Sequence, residues 1–260
     1  MSVIDAAHAA MEASPEDTSK RMKFYERVAD SELFLVLEAE PSGDNAVPSL
    51  FEVEADTYAL VFDSAERLTE FTQAPTPYLA ASGRQITAML AGQGIGLGVN
   101  LAVAPSSMLL PASAVEWLHQ TLGAAPQAQQ ATPSAVYGPG SVPEALIAAL
   151  DTKLASMSGL ARCAYLAEMD YENRPRTHVL AFVDAVPAAE PAMAGAVSEA
   201  LTFSGVEAGS LDVIFLAAQN PLSAALAKHG LRFDLPEPVA EPVRVVGAPG
   251  SDPDKPPILR

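Results

Sequence analysis

The chain has 260 residues, 49% hydrophobic and 18% charged, with 15 basic side chains against 32 acidic ones and a formal charge of −17. That length can bury one large core or two ordinary ones, and the composition is that of a globular protein. The acidic balance repels phosphate backbones and anionic lipid, and the single cysteine, Cys163, excludes an internal disulfide framework and a cysteine-based zinc cluster.

Residues 2–13 read as a short amphipathic helix with Val3, Ile4, Ala7, Ala10 and Met11 on one side. Ser14-Pro15-Glu16-Asp17 then has the form of a helix start, with serine at the N-cap and proline at N1. The helix that follows sets Met22, Tyr25, Val28 and Ala29 on one face, and Lys20, Arg21, Lys23 and Arg27 largely elsewhere as a solvated basic cluster. Leu33–Leu37 is unbroken apolar sequence, as in a strand covered on both sides. A loop over residues 40–47 separates it from strands at Phe51–Val53 and Tyr58–Phe62. Ser64 caps a short helix carrying Ala65, Leu68 and Phe71, and Pro77–Ala81 is extended.

The stretch from Ser82 to Asn100 is the most informative. Ser82 and Gln85 have capping-box spacing, Ile86, Met89 and Leu90 form an apolar stripe, and Gly92 stops the helix. Beyond it Ile95, Leu97, Val99 and Leu101 alternate with Gly96, Gly98 and Asn100, which predicts a strand with one almost bare face. Met108–Leu110 is a short strand, and Pro111 opens a helix with Val115, Leu118 and Leu122 inward. Trp117 is its packing anchor and His119 a surface or half-buried histidine.

Residues 124–135 are small and polar and predict a linker between an N-terminal domain, 1–123, and a C-terminal one, 136–234. The first domain holds 6 Lys and Arg against 17 Asp and Glu, a net of −11. The second predicts a helix over 143–157, a hairpin of Ala161–Asp170 and Thr177–Asp184, a helix over 191–201, a strand at Leu211–Leu216, a helix from Asn220-Pro221 to His229-Gly230, and an edge strand at Leu231–Phe233. Residues 235–260, rich in proline, predict a disordered tail. The fold class expected is α/β, or mixed α+β: two domains, each with a mixed sheet packed by helices.

Three pieces, SGRQITAMLAGQGIGLGVN, LLPASAVEWL and LDVIFLAAQNPLSAALAKHGLRF, resemble the bacterial SseB family of enhanced serine sensitivity proteins. The resemblance runs in family order through most of residues 24–234 and implies an N-terminal α/β domain followed by a distinct C-terminal one. It implies a link to serine sensitivity but no set reaction or cofactor. Family members often follow the asparagine of the glycine-rich strand with Pro and Gly, whereas here Asn100 precedes Leu101 and Ala102.

The chemistry-bearing residues are sparse. The glycine row 92–98 closes a helix and enters a strand, the reverse of a dinucleotide loop, so nucleotide binding is not expected and close packing of a neighbour is. The four histidines are scattered and no catalytic constellation is legible, so the sequence predicts no enzyme, no metal and no cofactor. Cys163 reads as a buried, inert thiol. Ser82-Gly83-Arg84 at a helix start, with Tyr78 upstream and Asn100 on the next strand, is the candidate ligand site. Free N–H groups, a hydroxyl and an arginine suit the carboxylate of an amino acid; the same residues also read as a plain cap beside a surface arginine. With no apolar run near ~20 residues and no signal-peptide pattern, the expected location is cytoplasmic. The expected role is a binding or regulatory protein with a protein partner or a second copy of itself. An amino-acid sensor at Ser82–Arg84 and an enzyme with an inter-domain site are the alternatives.

Overall fold

The computed structural model describes residues 1–41, 46–124, 133–172, 174–205 and 211–237. Helix α1 (Val3–Glu12) starts at a capping box in which Ser2 and Asp5 satisfy each other's backbone N–H groups. Helix α2 (Thr18–Asp30) begins later than Ser14-Pro15 predicts, because Asp17 rather than Ser14 accepts from the first-turn N–H, that of Ser19. The Ser14 hydroxyl instead accepts from Lys20 Nζ at 2.7 Å.

The first sheet contains β1 (Glu32–Val36), β2 (Leu50–Val53), β3 (Asp56–Phe62), β4 (Tyr78–Ser82), β5 (Ile95–Val99) and β6 (Met108–Leu110). Its order is β4-β1-β3-β5-β6, with β2 added to β3; β3 and β5 are parallel and the other pairs antiparallel. Helices α3 (Ala65–Thr72), α4 (Gly83–Leu90) and α5 (Ala112–Gly123) complete the domain, α4 opening on the Ser82–Gln85 capping box expected from the sequence. One face of the sheet is closed by α1, α2, α4 and α5 around Ile4, Phe24, Val28, Leu33, Leu35, Val61, Ile86, Leu90 and Val115. On the other face the bare strand does pack against neighbours: a Cβ on Gly96 would lie 2.4 Å from the Leu110 carbonyl oxygen and 2.6 Å from the Tyr58 ring. Leu101 lies past the end of β5, in the turn.

The second sheet is built from β7 (Pro133–Tyr137), β8 (Cys163–Tyr171), β9 (Arg174–Val183), β10 (Leu211–Leu216) and β11 (Leu231–Asp234). The order is β10-β9-β8-β11, with β7 also on β8; only β9 and β10 run parallel. Strand β7 begins inside the stretch read as linker: Ala135 and Val136 pair with Asp170 and Met169, a partnership no local pattern announces. Helices α6 (Glu144–Ala155) and α7 (Glu190–Phe203) cover one face and α8 (Pro221–His229), capped by Asn220, packs on the other. Both sheets are therefore mixed and helix-packed, as the sequence predicts. The proline-rich segment departs from expectation at its start, where Leu235 is buried in the second core and the Pro236 carbonyl accepts from Gly159 N–H. Residues 238–260 lie outside the described residues, as do 42–45 of the predicted loop and 125–132 of the predicted linker.

Helix α2 is covered on two sides. Phe24 and Val28 enter the first core, while Met22, Tyr25 and Ala29 pack with Trp117, Leu118 and Phe203 of α7 in a small cluster joining the two domains. Trp117 is a packing anchor, edge-on to Phe203 at 5.9 Å and tilted over Tyr25 at 5.7 Å. His119 is exposed. At the end of α7 the backbones nearly touch: a Cβ on Gly205 would sit 2.6 Å from Ser19 Cα.

Candidate functional site

The five residues of the predicted ligand site fall in four places. Ser82 spends its hydroxyl on the cap, accepting from Gln85 N–H at 3.3 Å. Gly83 is buried under α2, where a Cβ would come within 2.0 Å of the Val28 carbonyl oxygen, so only glycine lets α4 start there.

Arg84 reaches away from the cap into the seam between domains. Its guanidinium grips Glu199 of α7 with two parallel bonds of 2.7 and 2.6 Å, and Asp30 at the end of α2 with Nη2 at 2.6 Å. Lys153 of α6 enters the same cluster, its Nζ 2.8 Å from Asp30, 3.3 Å from Glu26 and 3.4 Å from Glu199. Glu26 is buried; its oxygens accept no well-angled hydrogen bond and are balanced by Lys153 and by Lys23 Nζ at 2.9 Å. Burial opposes ionisation of Asp30, but hydrogen bonds from Lys153 and Arg84 outweigh it and hold the carboxyl below its usual value. Burial likewise works against charge on Lys153, yet Asp30, Glu26 and Glu199 raise its pKa. The Glu199 bonds, against the cost of burial, raise that of Arg84. The basic residues of α2 are thus partly enlisted, Lys23 and Arg27 both lying against Glu26.

Asn100 belongs to a second polar cluster, at the carboxyl ends of the parallel strands β3 and β5. It is fully buried in left-handed backbone (φ 48°); its Oδ1 accepts from Asp63 N–H at 3.0 Å and its Nδ2 donates to Ser106 Oγ at 2.9 Å. Ser106 passes a 2.6 Å bond to Asp5 Oδ1. Asp5 and Asp63 share the Arg67 guanidinium, at 2.5 and 2.7 Å. Burial pushes the Asp5 carboxyl up, but bonds from Arg67, Ser106 and Ser2 overcome this and keep it far below the carboxylate range. The turn that follows holds Ala102 at φ 61°, where an L side chain is strained and a glycine would not be.

Tyr78 lies apart from both clusters, on the outer face of the first sheet. It packs on Phe34 at 5.4 Å, and Phe51 on Tyr58 at 5.6 Å, so aromatic rings line this face from β4 to β2. Helix α3 closes only the end around Val36, Phe62 and Leu68. Tyr78 remains 45% exposed, Val53 37% and Phe71 36%.

The sequence left a signal for two of the residues it did not single out. Lys153 interrupts the buried stripe Leu146, Ala149, Leu150, Leu154, and Asp5 stands three residues after Ser2 as the acid of a capping box. Glu26, Asp30, Glu199 and Arg67 carry no such mark. Cys163 is buried, as expected. Among the described residues no group of three His, Cys, Asp or Glu could hold a metal, and no helix is long and apolar enough to cross a membrane.

The class defined by these features is a two-domain α/β protein with mixed sheets and an ion-paired seam. Residues 4–117 match the family model of the SseB protein N-terminal domain, which is the first domain described above almost to its end. The first domain is thus similar to the SseB protein N-terminal domain. No curated protein and no solved structure matches it.

Proposed function

We propose that the chain is a non-catalytic binding protein of regulatory role, whose first sheet docks a protein partner or a second copy of the chain through its outer face. The observation that supports this is the apolar surface of Tyr78, Phe34, Phe51 and Val53, left partly open because α3 covers one end only. A contiguous apolar patch costs solubility unless something uses it. The link to serine sensitivity rests on the family resemblance, and the partner is sought among proteins rather than nucleic acids or membranes because of the charge of −17. An amino-acid ligand at Ser82–Arg84 would have to displace Glu199 or Asp30 from Arg84, so the sheet face is the stronger reading.

The test is native mass spectrometry of the protein purified gently from its host, beside sedimentation over a range of concentrations. A retained protein or a dimer in the wild type, lost in the exposed double variant Tyr78→Glu/Val53→Glu, is the expected result. Identical behaviour of the two, both monomeric and bare, would overturn the docking role.

A further inference from the structure

The second domain contains a hollow that none of the clusters above touches. It opens between the start of β8, strand β11 and helix α8, with a volume of about 220 Å³. One wall is apolar, from Val183, Ala218, Ala224 and Ala227; Arg162, Arg232 and Tyr165 supply polar groups. Two arginines meeting at one hollow is unusual in a chain with 15 basic residues and a charge of −17.

The pairing of these arginines sets them apart. Arg67, Arg84 and Arg176 each lie against a carboxylate of another element, at 2.5, 2.6 and 2.7 Å. Arg162 carries no side-chain ion pair or hydrogen bond among the described residues, although its backbone is fixed by a 3.0 Å bond to the Val183 carbonyl. Arg232 pairs among the described carboxylates with Asp234, two residues away on the same strand, at 2.6 Å, and lies beside the Tyr165 hydroxyl; the side chains of Arg232 and Asp234 are both more than half exposed. An exposed pair of this kind contributes little and exchanges readily with another anion. Tyr165, beside Arg232, is buried; burial and the neighbouring Cys163 raise the pKa of its hydroxyl against the opposing pull of Arg232.

We propose that this hollow is a binding site for a small organic carboxylate. The carboxylate lies between the Arg162 and Arg232 guanidiniums and accepts from the Tyr165 hydroxyl, with its short hydrocarbon end against Val183, Ala218, Ala224 and Ala227. Asp234 is the built-in competitor for Arg232 and occupies it when no ligand is present. A bare phosphate would satisfy the guanidiniums but leave the alanine wall unused. The site is separate from the sheet face proposed for docking and stands or falls without it.

Pyruvate is the probe, with inorganic phosphate for comparison, titrated calorimetrically into the full chain at fixed ionic strength. Saturable pyruvate binding, weakened roughly tenfold or more by Arg162→Gln and by Arg232→Gln, is expected, since each removes charge-assisted bonds to the anion. Asp234→Asn should tighten it several-fold by releasing Arg232, and Arg176→Gln, on the far end of β9, should leave it unchanged. Binding that Arg176→Gln weakens equally, binding insensitive to Asp234→Asn, or no saturable binding would each overturn the site. Saturation by phosphate but not by pyruvate would overturn the carboxylate assignment. Arg162 and Arg232 are exposed, so their variants fold, and unfolding without ligand verifies this.

Discussion

The two polar clusters of the first domain are built on opposite plans. The one around Asp5 mixes charge with neutral partners: Ser2 and Ser106 donate to Asp5 beside Arg67, Asn100 donates to Ser106, and every link stays within one domain. The one around Arg84 is almost wholly ionic and draws Arg84, Asp30 and Glu26 from one domain and Lys153 and Glu199 from the other. A buried carboxylate with its hydrogen bonds satisfied is fixed in one geometry, which suits a cluster that pins α1, α3 and the turn after β5 together. An ionic cluster at a seam sets how two separately cored units meet, and it leaves Glu26 without a well-aligned bond. The first plan secures a fold and the second an orientation.

Breaking the first cluster should have the larger effect. Asp5→Ala leaves Arg67 with Asp63 alone and removes the acid of the α1 capping box, so urea denaturation at pH 7 should show a loss of about 3 kcal/mol. The same residue gives the comparison a pH signature. Its folded pKa is depressed, so its contribution is complete above the unfolded carboxyl value of about 4 and is lost as pH falls below it. The wild type should therefore lose more stability than Asp5→Ala between pH 5 and pH 3, roughly, and equal slopes would show that Arg67 does not hold Asp5 in solution.

Lys153→Met probes the second plan. The methionine keeps most of the buried stem but leaves Glu26 to Lys23 and Arg27, at a cost of about 2 kcal/mol. The more telling readout is cooperativity: calorimetric unfolding should broaden or split as the two domains uncouple, while Asp5→Ala should shift the first domain without splitting it. A single sharp transition in Lys153→Met would mean that Trp117, Tyr25 and Phe203 alone hold the seam. The smallest effect expected is at the turn beside Asn100. Ala102→Gly relieves the positive φ and should stabilise the protein by about 0.5 kcal/mol, the gain in strain being partly offset by the freer unfolded chain.

Much of the fold was legible because its signals are local. The capping box at Ser82 and Gln85, the apolar run Leu33–Leu37, the alternation through Ile95–Val99 and the Asn220-Pro221 helix start each depend on neighbours within a turn or a strand. The candidate site was far less legible. Arg84, Tyr78 and Asn100 lie close in sequence, yet one joins the seam, one an open sheet face and one a buried cluster, because β4, α4 and β5 send their side chains in different directions. Strand β7 escaped notice for a related reason: its partner is more than thirty residues away on β8. The face chosen on α2 was real, but Met22, Tyr25 and Ala29 serve the seam while Phe24 fills the core, so a helix buried on two sides shows only one stripe at a time.

The sequence by itself determined most of the elements and the mixed α/β class, since periodicity, caps and glycine placement act over a few residues and survive in any compact arrangement. Only the tertiary structure decided which charges meet. Ion pairs such as Arg84 with Glu199 and Lys153 with Asp30 join residues 115 and 123 positions apart, and Coulomb attraction has no sequence period to betray it.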